Sequence, residues 1–397
     1  MRLMTSRIKW RTTWLLRAFA CVTVFAAPLE GYLLQVHGQL AKLPPALLVV
    51  TWVAVRVRQR RAPEPHPVHA ILALFAVVLL ASSALHAGGP HTMGYALRWL
   101  PFLLVTVVLI DVAAREVPIR AILASTVAGA VVAALGALHS LLAGGETRAT
   151  GPLEDPNDLA YFLVAALPLL VALRRGAIVA ATVLVAGAAA TFSRGGALAL
   201  TATVAWLLAR SALPLKALTA AAATLTALGV AAVLFAGPEL DRAINEKSYI
   251  AGTNVDTREL RWQAAARMVA DHPGLGVGPG GFRTSYPAAS HNAEIDEQSP
   301  VAHSMYLEVA AELGVPGFAL FCALLALTAV TSERVRRTTT DPLPMIAVQA
   351  SLIAVVVASA FLSEQYYLPL WSLVAVVAAA DLRLRRTSDV ACAPRDQ

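Results

Sequence analysis

His303, in Ala302-His303-Ser304, is the side chain of this sequence best suited to moving a proton. An apolar run follows it directly, and an imidazole at the positive end of a helix dipole resists protonation, so a neutral, proton-accepting ring is expected there. The histidine closes a segment of about 65 residues, 237–302, far beyond the usual length of a connection. Loops of that kind, held on a rigid scaffold, tend to carry function. This one contains Arg258, Arg261, Arg267 and Arg283. A further arginine, Arg194, lies in the short turn Thr191-Phe192-Ser193-Arg194-Gly195-Gly196 between two apolar runs. A guanidinium at a membrane boundary is costly unless paired, which makes it a functional candidate, with snorkelling to the headgroups as the plainer account. Two glycines beside it allow a backbone or a ligand to come close.

Other polar groups fall on the same side. Asp155-Pro156 reads as a helix start, with the aspartate as cap and the proline in the first turn. Asn157 and Asp158 then sit at the mouth of that helix, where they can meet a ligand. Arg98, in Leu97-Arg98-Trp99, is near the same face, although a tryptophan neighbour also makes an ordinary interfacial anchor. Within the long segment, residues 256–269 carry a helical pattern, with Leu260, Ala264 and Met268 on an apolar stripe. Asp256 or Thr257 can cap it, and Arg258 and Trp262, at i and i+4, can stack guanidinium on indole. The stretch Gly274-Leu275-Gly276-Val277-Gly278-Pro279-Gly280-Gly281-Phe282 superficially matches a nucleotide-binding pattern. It neither follows a strand nor opens a dinucleotide unit, so it is expected to be a tight turn packed on the membrane face.

The elements that position these groups are membrane helices. The chain is 57% hydrophobic and 14% charged, with a mean hydropathy of +0.64. Repeated apolar runs of about 20 residues match the hydrocarbon thickness of a bilayer. The expected fold is all-α and polytopic, with about twelve spans. Nine fall in residues 1–236, the long loop occupies 237–302, and three more spans follow in 303–397, all as one integrated membrane domain. With both termini inside, every Lys and Arg falls on the cytoplasmic side except Lys42, Arg98, Arg148, Arg194, Arg242, Lys247, Arg258, Arg261, Arg267 and Arg283. The net charge of +7 is then mostly positive-inside bias and requires no nucleic-acid partner. The first span is long enough to remain as an anchor and lacks a small-residue cleavage site. Cys21, Cys322 and Cys392 avoid the long loop, so no disulfide framework is implied. No His, Cys and carboxylate group has metal-ligand spacing, and no metal is expected.

In order along the chain stand Gly151…Asp155-Pro156-Asn157, Ser193-Arg194-Gly195 and Arg258-x-x-x-Trp262. Pro273-Gly274-Leu275-Gly276-Val277-Gly278-x-Gly280-x-Phe282 and His303-Ser304-x-Tyr306-Leu307-x-x-x-x-Glu312-Leu313-Gly314 follow. This ordered set resembles the O-antigen ligase/polymerase superfamily of bacterial polysaccharide assembly. The resemblance covers Gly151 to about Gly317 well and the first four spans by topology alone. Ser304 stands where the family often has Asn.

The resemblance implies a metal-independent glycosyltransferase acting outside the inner membrane, on the periplasmic side, on a glycan carried by undecaprenyl pyrophosphate. A glycan so carried is already activated, so neither a nucleotide nor any other cofactor is needed. Arg194 and Arg258, with Arg261 as the next candidate, would bind the pyrophosphate through bidentate guanidinium contacts. His303 would serve as general base on the acceptor hydroxyl, with inversion at C1, or else as a direct phosphate contact. Asn157, Asp158, Arg98 and Tyr306 are candidates to line the substrate path. The most specific expectation is an O-antigen ligase that uses lipid A–core oligosaccharide as acceptor. A polymerase, or a ligase that attaches glycans to protein, shares every one of these features. From another class, a transporter or flippase of lipid-linked sugar predicts mid-membrane charges and a structural repeat.

Overall fold

The computed structural model describes residues 2–144, 148–173, 176–213, 257–294, 300–363 and 365–392, with single positions between 214 and 230. Among them every regular element is helical. In chain order these are α1 (Arg2–Ala26), α2 (Glu30–Val36), α3 (Leu43–Gln59), α4 (Pro67–Leu85), α5 (Thr92–Arg115), α6 (Ile119–Gly144) and α7 (Pro156–Ala166). After them come α8 (Ala177–Ala190), α9 (Arg194–Ala209), α10 (257–271) and α11 (Gly281–Ala289). The chain ends on α12 (Met305–Thr338), α13 (Leu343–Ala358) and α14 (Leu368–Cys392). Prolines sit in the first turns of α3, α4, α7 and α13, where the missing N–H costs no helix bond.

Among the described residues, six helices are long and apolar enough to cross a membrane: Trp14–Val36, Leu40–Gln59, Pro67–Leu85, Thr92–Arg115, Ile119–Ala143 and Met305–Thr338. Pro156–Ala172, Ala177–Ala190, Arg194–Ala209 and Leu343–Ala358 are shorter apolar helices. The expected span over 217–236 and the start of the long loop, 237–256 with its Asp256 cap, lie mostly or wholly outside the described residues. Outward faces carry large apolar side chains, among them Val50 and Val57 on α3 and Leu74, Val77 and Leu80 on α4. Exposing these to water would cost about 25 cal/mol for each Å²; facing lipid, they cost nothing.

α14 lies along α5 and α12, and α13 lies along α9 and α7. Residues Leu373 to Ala380 of α14 are buried on every side, as expected for a central helix that is apolar all round. Arginines crowd one end of the bundle. Arg115 pairs with Asp111 at 3.0 Å and Arg56 with Glu116 at 2.8 Å. Arg383 donates to the carbonyls of Ala113 and Val117, at and just beyond the last turn of α5, where helix carbonyls lack intrahelical partners. The opposite end brings together the starts of α5, α7, α9, α12 and α14 with α10 and α11, and the candidate site is there.

Candidate functional site

α10 and α11 carry a small core of their own. Ala264, Ala265 and Met268 of α10 pack with Val277, Phe282, Tyr286, Ala302 and Ala311. The glycine-rich stretch is neither a nucleotide loop nor mere filler. It docks on a kink in α12, where Gly314 has φ 66° and breaks the helix. Carbonyls released by the kink take the amides of Val277 (to Ala311, 2.9 Å) and Gly278 (to Glu312, 3.0 Å), while Val315 N donates to Pro273 at 2.9 Å. A Cβ on Gly276 would lie 2.4 Å from the Ala311 oxygen, and one on Gly314 2.7 Å from the Pro273 oxygen. The two glycines let one backbone cross the other.

His303 sits just ahead of α12 rather than in its first turn. Its φ is +49°, a left-handed conformation unusual for a residue with a side chain. Ser304 is the extended N-cap, and the helix starts at Met305. The surrounding peptides are all held. Trp262 Nε1 donates to Ala302 O at 3.1 Å, and Met305 N donates to the carbonyls of Ser359 (2.9 Å) and Leu362 (2.7 Å). Ala302 N donates to Glu308 Oε2 at 3.2 Å. Strain of this kind persists only where the surroundings over-determine it. The indole N–H of Trp262 thus goes to the histidine turn.

Glu308 is wholly buried. Besides Ala302 N it accepts from Ser363 Oγ, from Gln365 Nε2 at 3.0 Å and from Arg283 Nη1 at 3.5 Å. Arg283 also reaches Glu312 at 3.8 Å and lies 4.3 Å from the centre of the Tyr95 ring. Glu312, also buried, takes the amides of Gly280 and Phe282 at the start of α11. The pair Glu308 and Glu312 therefore fastens α11 and the histidine turn to α12. Two carboxylates at i and i+4 on an otherwise apolar helix are the sequence signal for this cluster.

The arginines divide by partner. Arg261 is buried and holds Glu294 with two bonds, 3.1 and 3.0 Å, and the Tyr286 hydroxyl donates to the same carboxylate. Burial alone would raise the Glu294 pKa, but Arg261 and Tyr286 hold it below 4.5. Burial and the neighbouring carboxylate push the Tyr286 hydroxyl up to about 12. Arg261 is thus engaged in fastening the loop. Arg258, one turn earlier on α10, is half-buried. Burial lowers its pKa most; Asp155 opposes that, and Arg261 and Arg194 add to it. Arg194 opens α9, exposed, beside Ser193, whose hydroxyl caps the helix by accepting from Gly196 N at 3.2 Å. The glycines next to Arg194 admit protein rather than ligand: a Cβ on Gly196 would stand 3.0 Å from that of Ala160 on α7.

Asp155 caps α7 as expected, accepting from Asn157 N at 2.7 Å and from its Nδ2 at 2.9 Å. The Asn157 carbonyl accepts from Arg148 at 3.3 Å, and Arg148 Nε donates to Thr191 O at 3.0 Å. Arg148 therefore ties the α7 mouth to the Arg194 turn. Its pKa is lowered by burial and raised by Asp155. Asp155 interacts with the guanidinium groups of Arg148 and Arg258, and Arg194 adds its charge beside Arg258, so three chain segments contribute. Guanidinium stays protonated at any working pH, so the cluster carries an excess of positive charge suited to an anion.

Asp158 accepts from Tyr367 at 2.8 Å. Tyr306 donates to Val356 O at 2.7 Å, inside the packing of α12 on α13. Arg98 is exposed and lies 4.6 Å over the Tyr95 ring. Among the described residues no group of three or more His, Cys, Asp or Glu gathers as metal ligands would.

The described residues are all-helical, with helices long and apolar enough to cross a membrane, and they bring an arginine cluster and a left-handed histidine to one end. Residues 178–322 match the family model of O-antigen ligase. The members are membrane glycosyltransferase-like enzymes, ligases and polymerases. The matched segment runs from α8 into α12, so it holds Arg194, Arg258, Arg261, His303, Glu308 and Glu312; Arg98, Arg148, Asn157 and Asp158 lie outside it. No curated protein matches the chain.

Proposed function

We propose that the chain is an O-antigen ligase, transferring a glycan from undecaprenyl pyrophosphate to lipid A–core oligosaccharide at the periplasmic face of the inner membrane. On this reading about twelve spans leave both termini in the cytoplasm. The observation that carries it is the grouping of Arg148 and Arg258 about Asp155, with Arg194 beside Arg258, next to a histidine turn bonded to the same helix as Arg258. An anionic leaving group in a poorly hydrated site needs fixed positive charge where its own charge grows. Guanidinium forks match phosphate oxygens two at a time.

In the reaction, His303 takes the proton of the acceptor hydroxyl as that oxygen attacks C1 of the donor sugar. The bond from C1 to the diphosphate oxygen breaks, and its electron pair leaves with undecaprenyl diphosphate, which Arg194 and Arg258 neutralise. Attack from the opposite face inverts C1. Arg261 acts one step removed, holding Glu294 and the α10 register that aims Arg258. Asn157 and Asp158 shape the α7 side of the path. No nucleotide takes part, and the guanidinium groups supply the countercharge that a metal would otherwise give.

The test is glycan transfer by purified protein from a polyprenyl-diphosphate glycan, with lipid A–core, glycan chains and acceptor protein offered separately. Product on lipid A–core identifies the ligase. Product only on growing glycan or on protein identifies the polymerase or the protein ligase of the same superfamily. Movement of donor across a vesicle bilayer without transfer supports the flippase reading instead.

A further inference from the structure

A cleft of about 370 Å³ opens on the far side of α11 from His303, between the turn joining α4 to α5 and the glycine stretch. We propose that it binds a neutral saccharide unit, one remote from the bond being made; this rests on the glycan-transfer reading above. Three observations carry the proposal.

The first is lining chemistry. Thr92, Thr284, Ser285, His86 and His91 face the cleft together with glycine backbone on both walls. Among the described residues that line it, only Leu85 and Val277 are large and apolar, and none is Lys, Arg, Asp or Glu. A lipid tail requires apolar walls, and a phosphate requires cations. A pyranose presents hydroxyls that both give and accept, and it suits hydroxyl, imidazole and peptide groups with no net charge. The volume is at the lower end of small-ligand sites, roughly 300–1,000 Å³.

The second is that the shape is fixed before any ligand arrives. Gly278 and Gly280 have φ of +91° and +71°. A Cβ on Gly278 would stand 2.8 Å from the His86 side chain, and one on Gly280 2.4 Å from the Tyr95 ring. His86 Nδ1 is within 2.9 Å of Ser82 O, which holds the ring against the floor. A preformed polar wall loses little entropy when it is filled.

The third is helical spacing along α11. Gly281, Thr284 and Ser285 face the cleft, Phe282 and Tyr286 face the Ala302 core, and Arg283 faces Glu308. One helix thus separates the cleft from the reacting turn, a distance of about 10 Å, and the network that fixes His303 also fixes the cleft wall.

The test uses full-length protein in nanodiscs. Binding of free oligosaccharide, released from the native glycan by mild acid, is followed by saturation-transfer NMR, and transfer kinetics are measured in parallel. Ser285→Trp fills the cleft from α11, and His91→Ala alters the opposite wall without touching α11; a thermal melt confirms that each is folded. Both are expected to weaken oligosaccharide binding at least tenfold and to raise KM, with kcat within about twofold. A KM change confined to the donor glycan assigns the unit to the donor, and one confined to the acceptor assigns it to the acceptor. Unchanged binding and KM in both folded variants overturn the proposal. If wild-type protein binds oligosaccharide but transfers nothing, the transfer reading fails while the cleft stands.

Discussion

Replacing Glu308 should disable His303 without touching it. Its Oε2 accepts the Ala302 amide and the Ser363 hydroxyl, and its Oε1 faces Gln365 and Arg283. Glu308→Gln preserves volume and leaves one oxygen for Ala302 and Ser363. Gln365 can turn its amide to meet the new NH2, since its own Oε1 has no partner. The irreducible loss is the bond to Arg283, which is only 11% exposed; a bond to a charged group contributes about 1.5–3 kcal/mol. Glu308→Ala removes every acceptor and strands that guanidinium, a change costing about 3–5 kcal/mol. The left-handed His303 then relaxes, and a misplacement of about 1 Å near the reacting atoms costs roughly a hundredfold in rate. The expected kcat falls about tenfold for Glu308→Gln and to the His303→Ala level for Glu308→Ala, in transfer assays on protein checked for folding by thermal melt. The decisive comparison is the double variant. If Glu308 acts through His303, Glu308→Ala costs nothing further on a His303→Ala background, because residues acting as a unit are non-additive. Full additivity, or an Ala variant that keeps wild-type kcat, would refute the positioning role.

Arg258→Ala should lower kcat by roughly a hundredfold to a thousandfold, the loss seen when one charge-stabilising donor is removed; lysine should rescue little, since it lacks the fork. Arg261→Ala should instead lower the thermal midpoint and expose α10 to protease, because Glu294 loses its bidentate partner. Loop stability should also depend on pH at both extremes. The depressed Glu294 carboxyl stabilises the fold while ionised, so protection of α10 in hydrogen exchange should fade as pH drops below about 4.5. The raised Tyr286 hydroxyl makes the opposite contribution, lost between pH 10 and about 12. Gly276→Ala should abolish monodisperse protein in detergent, because its Cβ has no room against Ala311.

The polar exceptions in an apolar text were legible: His303, Arg194, Arg258 and the Asp155 cap each interrupt hydrophobic runs. Their bonding partners were not. Arg261 pairs with Glu294, 33 residues later, and nothing in the local pattern marks that pairing, so Arg261 read as a ligand group. Tyr306 read as substrate-lining because it follows the histidine, whereas one helical turn of α12 points it at α13. Arg148 was not among the candidate residues, since its partners Asn157 and Thr191 belong to two other turns. Glu308 was visible as a residue, but Ser363, Gln365 and Arg283 reach it from far along the chain. Secondary structure was easier, because hydropathy and proline placement act locally.

The most direct measurement is single-turnover transfer by purified protein from a polyprenyl-diphosphate glycan, with EDTA present and nucleotide absent, comparing wild type with His303→Ala. Transfer by the wild type, unaffected by EDTA, with the variant slower by about a hundredfold or more, is the expected result. Full transfer by His303→Ala, or loss of wild-type transfer on chelation, would contradict it.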